Sequence, residues 1–175
     1  NGNGNHANTT YQYRDEQAKV LYRKVRGFPK VFWFEHPDGI GGWGLGAKGI
    51  RRVPYRLPEL LESTETVYIT GGEKDADTLV KQGLIATTND NGEGNWKPEL
   101  NKFFKGRNVV ILEDNDDPGK KHGRVIAESL YGITQRIKIV RFEELKTGGD
   151  VSDYLATHSK DELLARQKEA PLFTG

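Results

Sequence analysis

The apolar run Val109-Val110-Ile111-Leu112 passes without a break into Glu113-Asp114-Asn115-Asp116-Asp117, and this junction limits what the chain can fold into. A short Val/Ile/Leu run is read as a strand buried on both faces, so these carboxylates leave together from the carboxyl end of a sheet. In open α/β sheets that edge is where ligands bind. Crowding carboxylates there costs repulsion unless a cation neutralises it, and hard divalent cations with oxygen ligands are the usual solution. Taken alone, the cluster is equally readable as a solvated acidic loop. Pro118-Gly119 then turns the chain into a helical pattern from Lys120 to Tyr131.

The surrounding sequence supplies the rest of such a sheet. From Ser63 onward, strand patterns at Val67–Thr70, Leu84–Thr88, Val109–Leu112 and Ile137–Phe142 alternate with helical patterns at Glu73–Gln82, Lys97–Phe104 and Lys120–Tyr131. Helical pieces follow from Val151 and from Lys160. Strands separated by helices of this length predict an α/β fold with a mostly parallel four-stranded sheet and right-handed crossovers.

The first third of the chain reads differently. Residues 1–10 (NGNGNHANTT) are polar and glycine-rich and read as a disordered linker. Residues 11–62 carry aromatic and alternating segments broken at Asp15-Glu16, Gly27-Phe28-Pro29 and Pro37-Asp38-Gly39, which predicts a small antiparallel meander. Its outer faces are expected to carry Arg14, Lys19, Arg23, Lys24, Arg26 and Lys30, with a flexible loop over Gly39–Gly49. Residues 1–62 hold ten Lys/Arg against six Asp/Glu, whereas residues 63–175 hold sixteen against nineteen. A basic lobe joined to an acidic one suits a polyanion held by one and presented to cations in the other, although chance gives asymmetries of this size. The chain has no cysteine, which excludes a disulfide framework and cysteine-based zinc sites, and no stretch long enough to span a membrane. A cytoplasmic location is the simplest expectation. With no methionine, the sequence reads as a fragment of something longer.

Acidic residues recur where successive strands end: Glu73 and Asp75 after the first, Asp114 and Asp116 after the third, Asp150 and Asp153 after the fourth. One carboxylate per strand end plus an Asp-x-Asp pair is enough for a two-metal clamp about 3.5–4 Å across, which stabilises the attacking and leaving oxygens of a phosphoryl transfer. Other readings fail on spacing. An EF-hand starting at Asp114 would place Pro118 on a ligand position and Val125 where its glutamate belongs. Gly44-Leu45-Gly46-Ala47-Lys48-Gly49 matches a dinucleotide fingerprint, but Arg51-Arg52-Val53-Pro54 follows it instead of a helix. The four histidines, His6, His36, His122 and His158, show no metal-ligand spacing.

The segments Val67 to Leu79 (VYITGGEKDADTL), Ile111 to Gly119 (ILEDNDDPG) and Gly149 to Leu155 (GDVSDYL) resemble, in order and spacing, the three motifs of the Toprim domain. That Rossmann-like domain is shared by bacterial-type primases, topoisomerases and some nucleases. Upstream, Tyr22-Arg23-Lys24-Val25-Arg26 and Val53 to Leu60 (VPYRLPEL) resemble the lobe that precedes Toprim in phage- and plasmid-type primases and primase-helicases. The resemblance implies a Toprim domain over 63–157, a basic primase lobe over 11–62 and a C-terminal helix and tail over 158–175. It implies a DNA primase catalytic core that joins ribonucleotides into RNA primers on single-stranded DNA, using Mg²⁺ or Mn²⁺. A replicative helicase, in cis or in trans, is the implied partner, and a mobile element or a bacterium the implied source.

Carried over residue by residue, Asp114 and Asp116 are the metal-binding pair, and Asp150 and Asp153 the last acidic motif. The family usually reads Glu-Gly at the end of the first strand, with that glutamate as acid/base or metal ligand; this chain has Gly71 there. Glu73, two residues on, is the candidate to take its role, and catalysis is conditional on this change. Arg23, Arg26, Lys30, Arg51, Arg52 and Arg56 are the candidate phosphate contacts to template, with Trp43 and Tyr55 as stacking partners unless they serve the core. Lys74, Lys120 and His122 are the candidate nucleotide contacts. The alternatives are a non-polymerising Toprim protein, either a metal-dependent nuclease or a single-strand-binding module, and a regulatory phosphate-binding α/β domain, against which the second and third acidic motifs count.

Overall fold

A computed structural model describes residues 7–175, so the part of the expected linker at 1–6, His6 included, lies outside the described residues. Strand β1 already begins at Thr9, which shortens that linker: β1 (Thr9–Arg14), β2 (Val20–Gly27), β3 (Val31–Pro37) and β4 (Trp43–Leu45) pair antiparallel in sequence order. The expected loop over Gly39–Gly49 therefore contains a strand. Trp43 and Leu45 pair with Pro37 and Glu35 across a tight turn whose amides bond to Asp38.

Helix α1 (Leu57–Glu62) leads into the second sheet, β5 (Val67–Ile69), β6 (Ile85–Thr87), β7 (Asn108–Leu112) and β8 (Arg136–Val140), all parallel in the order β6-β5-β7-β8. Helices α2 (Glu73–Lys81) and α3 (Asp117–Leu130) make the crossovers, and α4 (Val151–Leu155) and α5 (Lys160–Glu169) follow β8. The segment expected as a helix over Lys97–Phe104 is a 3₁₀ turn, Pro98–Phe104. Helix α3 starts three residues earlier than its periodicity suggests, because the Asp116 side chain accepts the Gly119 N–H and caps it.

The strand order fixes where a ligand can enter. From β5 the chain crosses to β6 on one side, and from β7 to β8 on the other. Right-handed crossovers in opposite directions place α2 and α3 on opposite faces, leaving a crevice between the carboxyl ends of β5 and β7. Gly71 ends one of these strands and Asp114 the other.

The two sheets are not separate bodies. One continuous apolar core joins Tyr13, Tyr22, Val53, Tyr55 and Leu57 of the first lobe to the buried strands of the second. Tyr13 and Tyr22 stack with ring centres 4.8 Å apart. Tyr55 donates its backbone N–H to Thr88 and accepts the Thr87 hydroxyl on its carbonyl, while Arg107 reaches the Leu60 carbonyl. The C-terminal tail lies along β8, bridging Leu172 to Lys138.

Helix α3 can approach the end of β7 because it presents glycines one turn apart. A Cβ at Gly119 would fall 2.6 Å from the Asp114 carbonyl oxygen, and one at Gly123 would fall 2.4 Å from Glu113 Oε1 and 2.6 Å from its Cγ. Glu113 is buried there and does not join the acidic edge: Arg141 holds its Oε2 at 2.9 Å, and Oε1 has no hydrogen-bond partner among the described residues. Gly123→Ala is therefore expected to destabilise the fold despite alanine's better helix propensity. The overpacking costs about 1–3 kcal/mol against a propensity gain of about 1 kcal/mol. A lowered urea midpoint at unchanged slope would show it.

Candidate functional site: an acidic crevice facing a basic strand edge

An open cleft of about 520 Å³ lies between the two sheets. One wall is the carboxyl edge of the parallel sheet, with Gly71, Asp75, Glu93, Asp114, Asp116 and Asp150; the other is Tyr11, Lys24, Arg26, Lys30 and Phe32 from β1–β3. Sheet alternation explains the second wall, since Tyr22, Lys24 and Arg26 share one face of β2 with Phe32 and Phe34 of β3 opposite. Lys24 was expected on an outer face; it is buried on the inner one.

Asp114 is the electrostatic centre. Burial, and then the charges of Asp75, Glu93 and Asp150, push its carboxyl up to about 8. Asp75, one of the expected strand-end acids, is buried at the start of α2, hydrogen-bonded to the Ser152 hydroxyl and pushed up to about 6, mainly by burial and also by Asp150. Glu93, on the same wall of the cleft, is raised as well, by burial first and then by the charge of Asp116. Asp116 divides its carboxylate between the cleft and the α3 cap.

The expected sites sort unevenly. Asp150 and Asp153 cap α4 reciprocally, each side chain accepting the other's backbone N–H. Asp150 still lines the cleft, whereas Asp153 is committed to the cap and does not. Glu73 borders the cleft, but its carboxylate accepts the Tyr13 hydroxyl at 2.7 Å and pairs with Lys24 Nζ at 3.1 Å. It is a buried tie between the lobes rather than a free acid standing in for the residue missing at Gly71.

Among the basic candidates, Arg26 and Lys30 reach the cleft, and neither is neutralised by an ion pair among the described residues. Arg52 pairs with Asp90, which also accepts the Tyr22 hydroxyl; Arg56 pairs with Asp77, which accepts that of Tyr55. These are cross-lobe ties, and Tyr55 is a core residue. Arg51 bonds Glu16 at the surface. Arg23 bonds Glu35 and stacks 3.7 Å from the Trp43 ring, on the face of β2 turned away from the cleft. Lys74 stands at the rim, 3.9 Å from Asp150, while Lys120 is exposed on α3 and outside the cleft. His122 is buried, and burial alone lowers it to about 4. A neutral imidazole that accepts the Gly94 N–H at 2.9 Å braces the 89–95 loop and offers no charge to a phosphate.

The donor set along the acidic wall is all carboxylate oxygen, which suits a hard divalent cation. Asp114, held partly neutral by burial and then by its acidic neighbours, is the group that such an ion would relieve. Among the described residues no three such side chains are gathered tightly enough to cage an ion unaided. That fits Mg²⁺-type sites, which use one or two carboxylates and take their other ligands from water and substrate phosphates.

The chain is 34% identical over 163 residues to the gene 57 protein of Mycobacterium phage D29, a match spanning 83% of this chain and 99% of that protein. It belongs to the family of that phage protein. No protein-family model matches the chain. Among solved structures, the zinc-binding and RNA polymerase domains of the Aquifex aeolicus primase align with 94% of this chain at a TM-score of 0.72 and 17% identity. A primase catalytic domain bound to single-stranded DNA aligns with 94% at 0.69 and 18%. The fold is that of the primase catalytic core, Toprim sheet and preceding β lobe together, and the expected fold class stands. The chain spans 40% of the first of those chains and 53% of the second.

Proposed function

We propose that the chain is the nucleotidyl-transferring core of a primase, joining ribonucleotides into RNA primers on single-stranded DNA. The observation that carries this reading is the cleft itself, where the crowded carboxylates at the β5/β7 switch point face Arg26 and Lys30, which have no ion pair among the described residues, across open space. Asp114, Asp116 and Asp150 would hold Mg²⁺ or Mn²⁺, which, when bound, offsets negative charge on the reacting phosphates. Arg26 and Lys30 neutralise phosphates of the nucleic acid, and the Phe32 ring beside them offers a stacking surface for a base. Lys74 at the rim is placed for an incoming triphosphate. The primase bound to single-stranded DNA supports the choice of template, and the likeness to the primase fragment of the bacteriophage T7 primase-helicase supports a helicase as partner.

Gly71 favours a second reading, a single-strand-binding Toprim protein that does not polymerise, because the usual acid is missing at the strand end beside Asp114. Incubating the protein with labelled ribonucleotides, single-stranded DNA and Mn²⁺ separates the two. Template-dependent oligoribonucleotides are expected; salt-sensitive DNA binding with no product would leave the second reading standing.

Both readings require the basic wall. The double substitution of Arg26→Ala and Lys30→Ala is expected to weaken binding to single-stranded DNA of every sequence. The slope of log K against log salt should become shallower by about 1.4, roughly 0.7 for each lost phosphate contact. Arg124→Ala, which removes an exposed cation paired with Glu128 on α3, should leave the slope unchanged. Fluorescence anisotropy across a salt series reads both.

A further inference from the structure

We propose that Glu93 supplies the carboxylate that the first acidic motif lacks, joining Asp114 as a ligand of the cation in this crevice. The inference rests on the reading that the crevice holds a divalent cation.

The gap is physical. A Cβ at Gly71 would lie 3.0 Å from Asp114 Oδ2, so a side chain there would lean directly on the central carboxylate. The Gly71 backbone is not in the left-handed region, so the local fold does not demand glycine; the position simply offers no functional group. Glu93 comes to the same place from another element. It lines the cleft together with Gly71 and Asp114, and the narrow recess beneath these strand ends is bounded by the same three residues.

The loop that carries Glu93 is fixed on both sides. Gly92 and Gly94 flank it at φ +69° and +77°, left-handed conformations that let the chain fold back on either side of the glutamate. Asn89 Nδ2 donates to the Gly92 carbonyl at 2.9 Å, and Asn95 Nδ2 donates to the Asn91 and Glu93 carbonyls, each at 3.1 Å. His122 completes the frame, accepting the Gly94 N–H at 2.9 Å on Nδ1 while Nε2 meets Asn89 Oδ1 at 3.2 Å. That histidine projects from α3, the helix capped by Asp116. Glu93 is thus held against the element that presents the Asp-x-Asp pair, as a dedicated ligand must be. Two carboxyl groups lining one recess, where the strand end between them offers none, describe a cation site whose first-strand ligand has moved to a loop.

Calorimetric titration of Mn²⁺ into the wild type, Glu93→Gln and Asp114→Asn tests this without relying on activity. Glutamine matches glutamate in size and keeps a polar head group, so the loop stays placed, and a melting temperature no lower than that of the wild type checks that. Both variants are expected to bind Mn²⁺ at least about tenfold more weakly than the wild type, the scale on which metal sites respond to loss of a supporting group. Wild-type affinity in Glu93→Gln together with a loss in Asp114→Asn would overturn the role of Glu93 and leave the cation site intact. A wild type that takes up no Mn²⁺ would overturn both.

Discussion

Asp114→Asn is expected to reduce metal-dependent primer synthesis by at least about 10²–10³-fold, the loss typical when one preorganised electrostatic group is removed from a reacting centre. The same substitution is expected to raise the melting temperature of the metal-free protein at pH 8. Both effects come from one cause. The Asp114 carboxyl stands at the end of β7, pushed up to about 8 by burial and by the charges of Asp75, Glu93 and Asp150. A carboxyl raised in the folded state favours folding while it stays protonated, so its contribution is complete below about pH 4 and lost as pH rises through about 8. Asp75, raised to about 6, adds a loss in the same direction over a lower window. Asparagine removes the Asp114 penalty. The melting temperatures of wild type and variant should therefore converge near pH 4, separate increasingly up to about pH 8 and stay apart above it, the variant melting higher. Mg²⁺ or Mn²⁺ should stabilise the wild type in proportion to the logarithm of concentration over affinity, and the variant much less. Thermal melts from pH 4 to 9, with and without metal, check the sign. A variant that melts lower at pH 8 without metal would mean that Asp114 serves packing rather than a cation.

The sequence made the acidic edge legible because the information is local there. An apolar tetrad runs straight into Asp114 and Asp116, and a buried parallel strand has few other ways to end. The opposite wall was only half legible. The alternation of Tyr22, Lys24 and Arg26 does place them on one face of β2, but which face meets the sheet depends on partners far along the chain. Glu73 finds Tyr13 and Lys24 at separations of 60 and 49 residues, and Asp90 finds Tyr22 at 68. No local pattern distinguishes a glutamate that ties two lobes from one that does chemistry. The same holds for Arg52 and Arg56, whose carboxylate partners turn apparent phosphate contacts into internal struts. Strand β4 was hidden because glycines at 41, 42, 44 and 46 give no side-chain alternation, and its pairing with β3 is a backbone property. The position of Glu93 is likewise set from afar, by His122 and two left-handed glycines rather than by a strand end.

Lys24→Met is expected to destabilise the protein by about 3–5 kcal/mol, the cost of leaving one member of a buried ion pair behind. Lys24 is 8% exposed and Glu73 4%, with Nζ 3.1 Å from Oε1 and 4.8 Å from the Phe32 ring centre. Methionine fills the space of the alkyl stem but leaves a carboxylate in the core with the Tyr13 hydroxyl as its remaining donor. The loss should be specific to the charge. Adding Glu73→Gln to Lys24→Met removes the stranded anion and keeps a side chain able to bond Tyr13, so the double variant should regain most of the stability. The coupling energy from the full cycle should then fall near the upper end of the roughly 0.5–3 kcal/mol found for contacting residues. Equilibrium unfolding in urea measures all four proteins. Equal losses in Lys24→Met and the double variant would mean that packing around Lys24, not the pair, joins the lobes. The functional consequence follows from the strand: Lys24 and Arg26 are two residues apart on the same face of β2, so the tie that anchors Glu73 also sets how far Arg26 stands from Asp114. A folded Lys24→Met protein should bind single-stranded DNA while losing primer synthesis, because holding the strand needs only the basic wall, and joining nucleotides needs both walls in register.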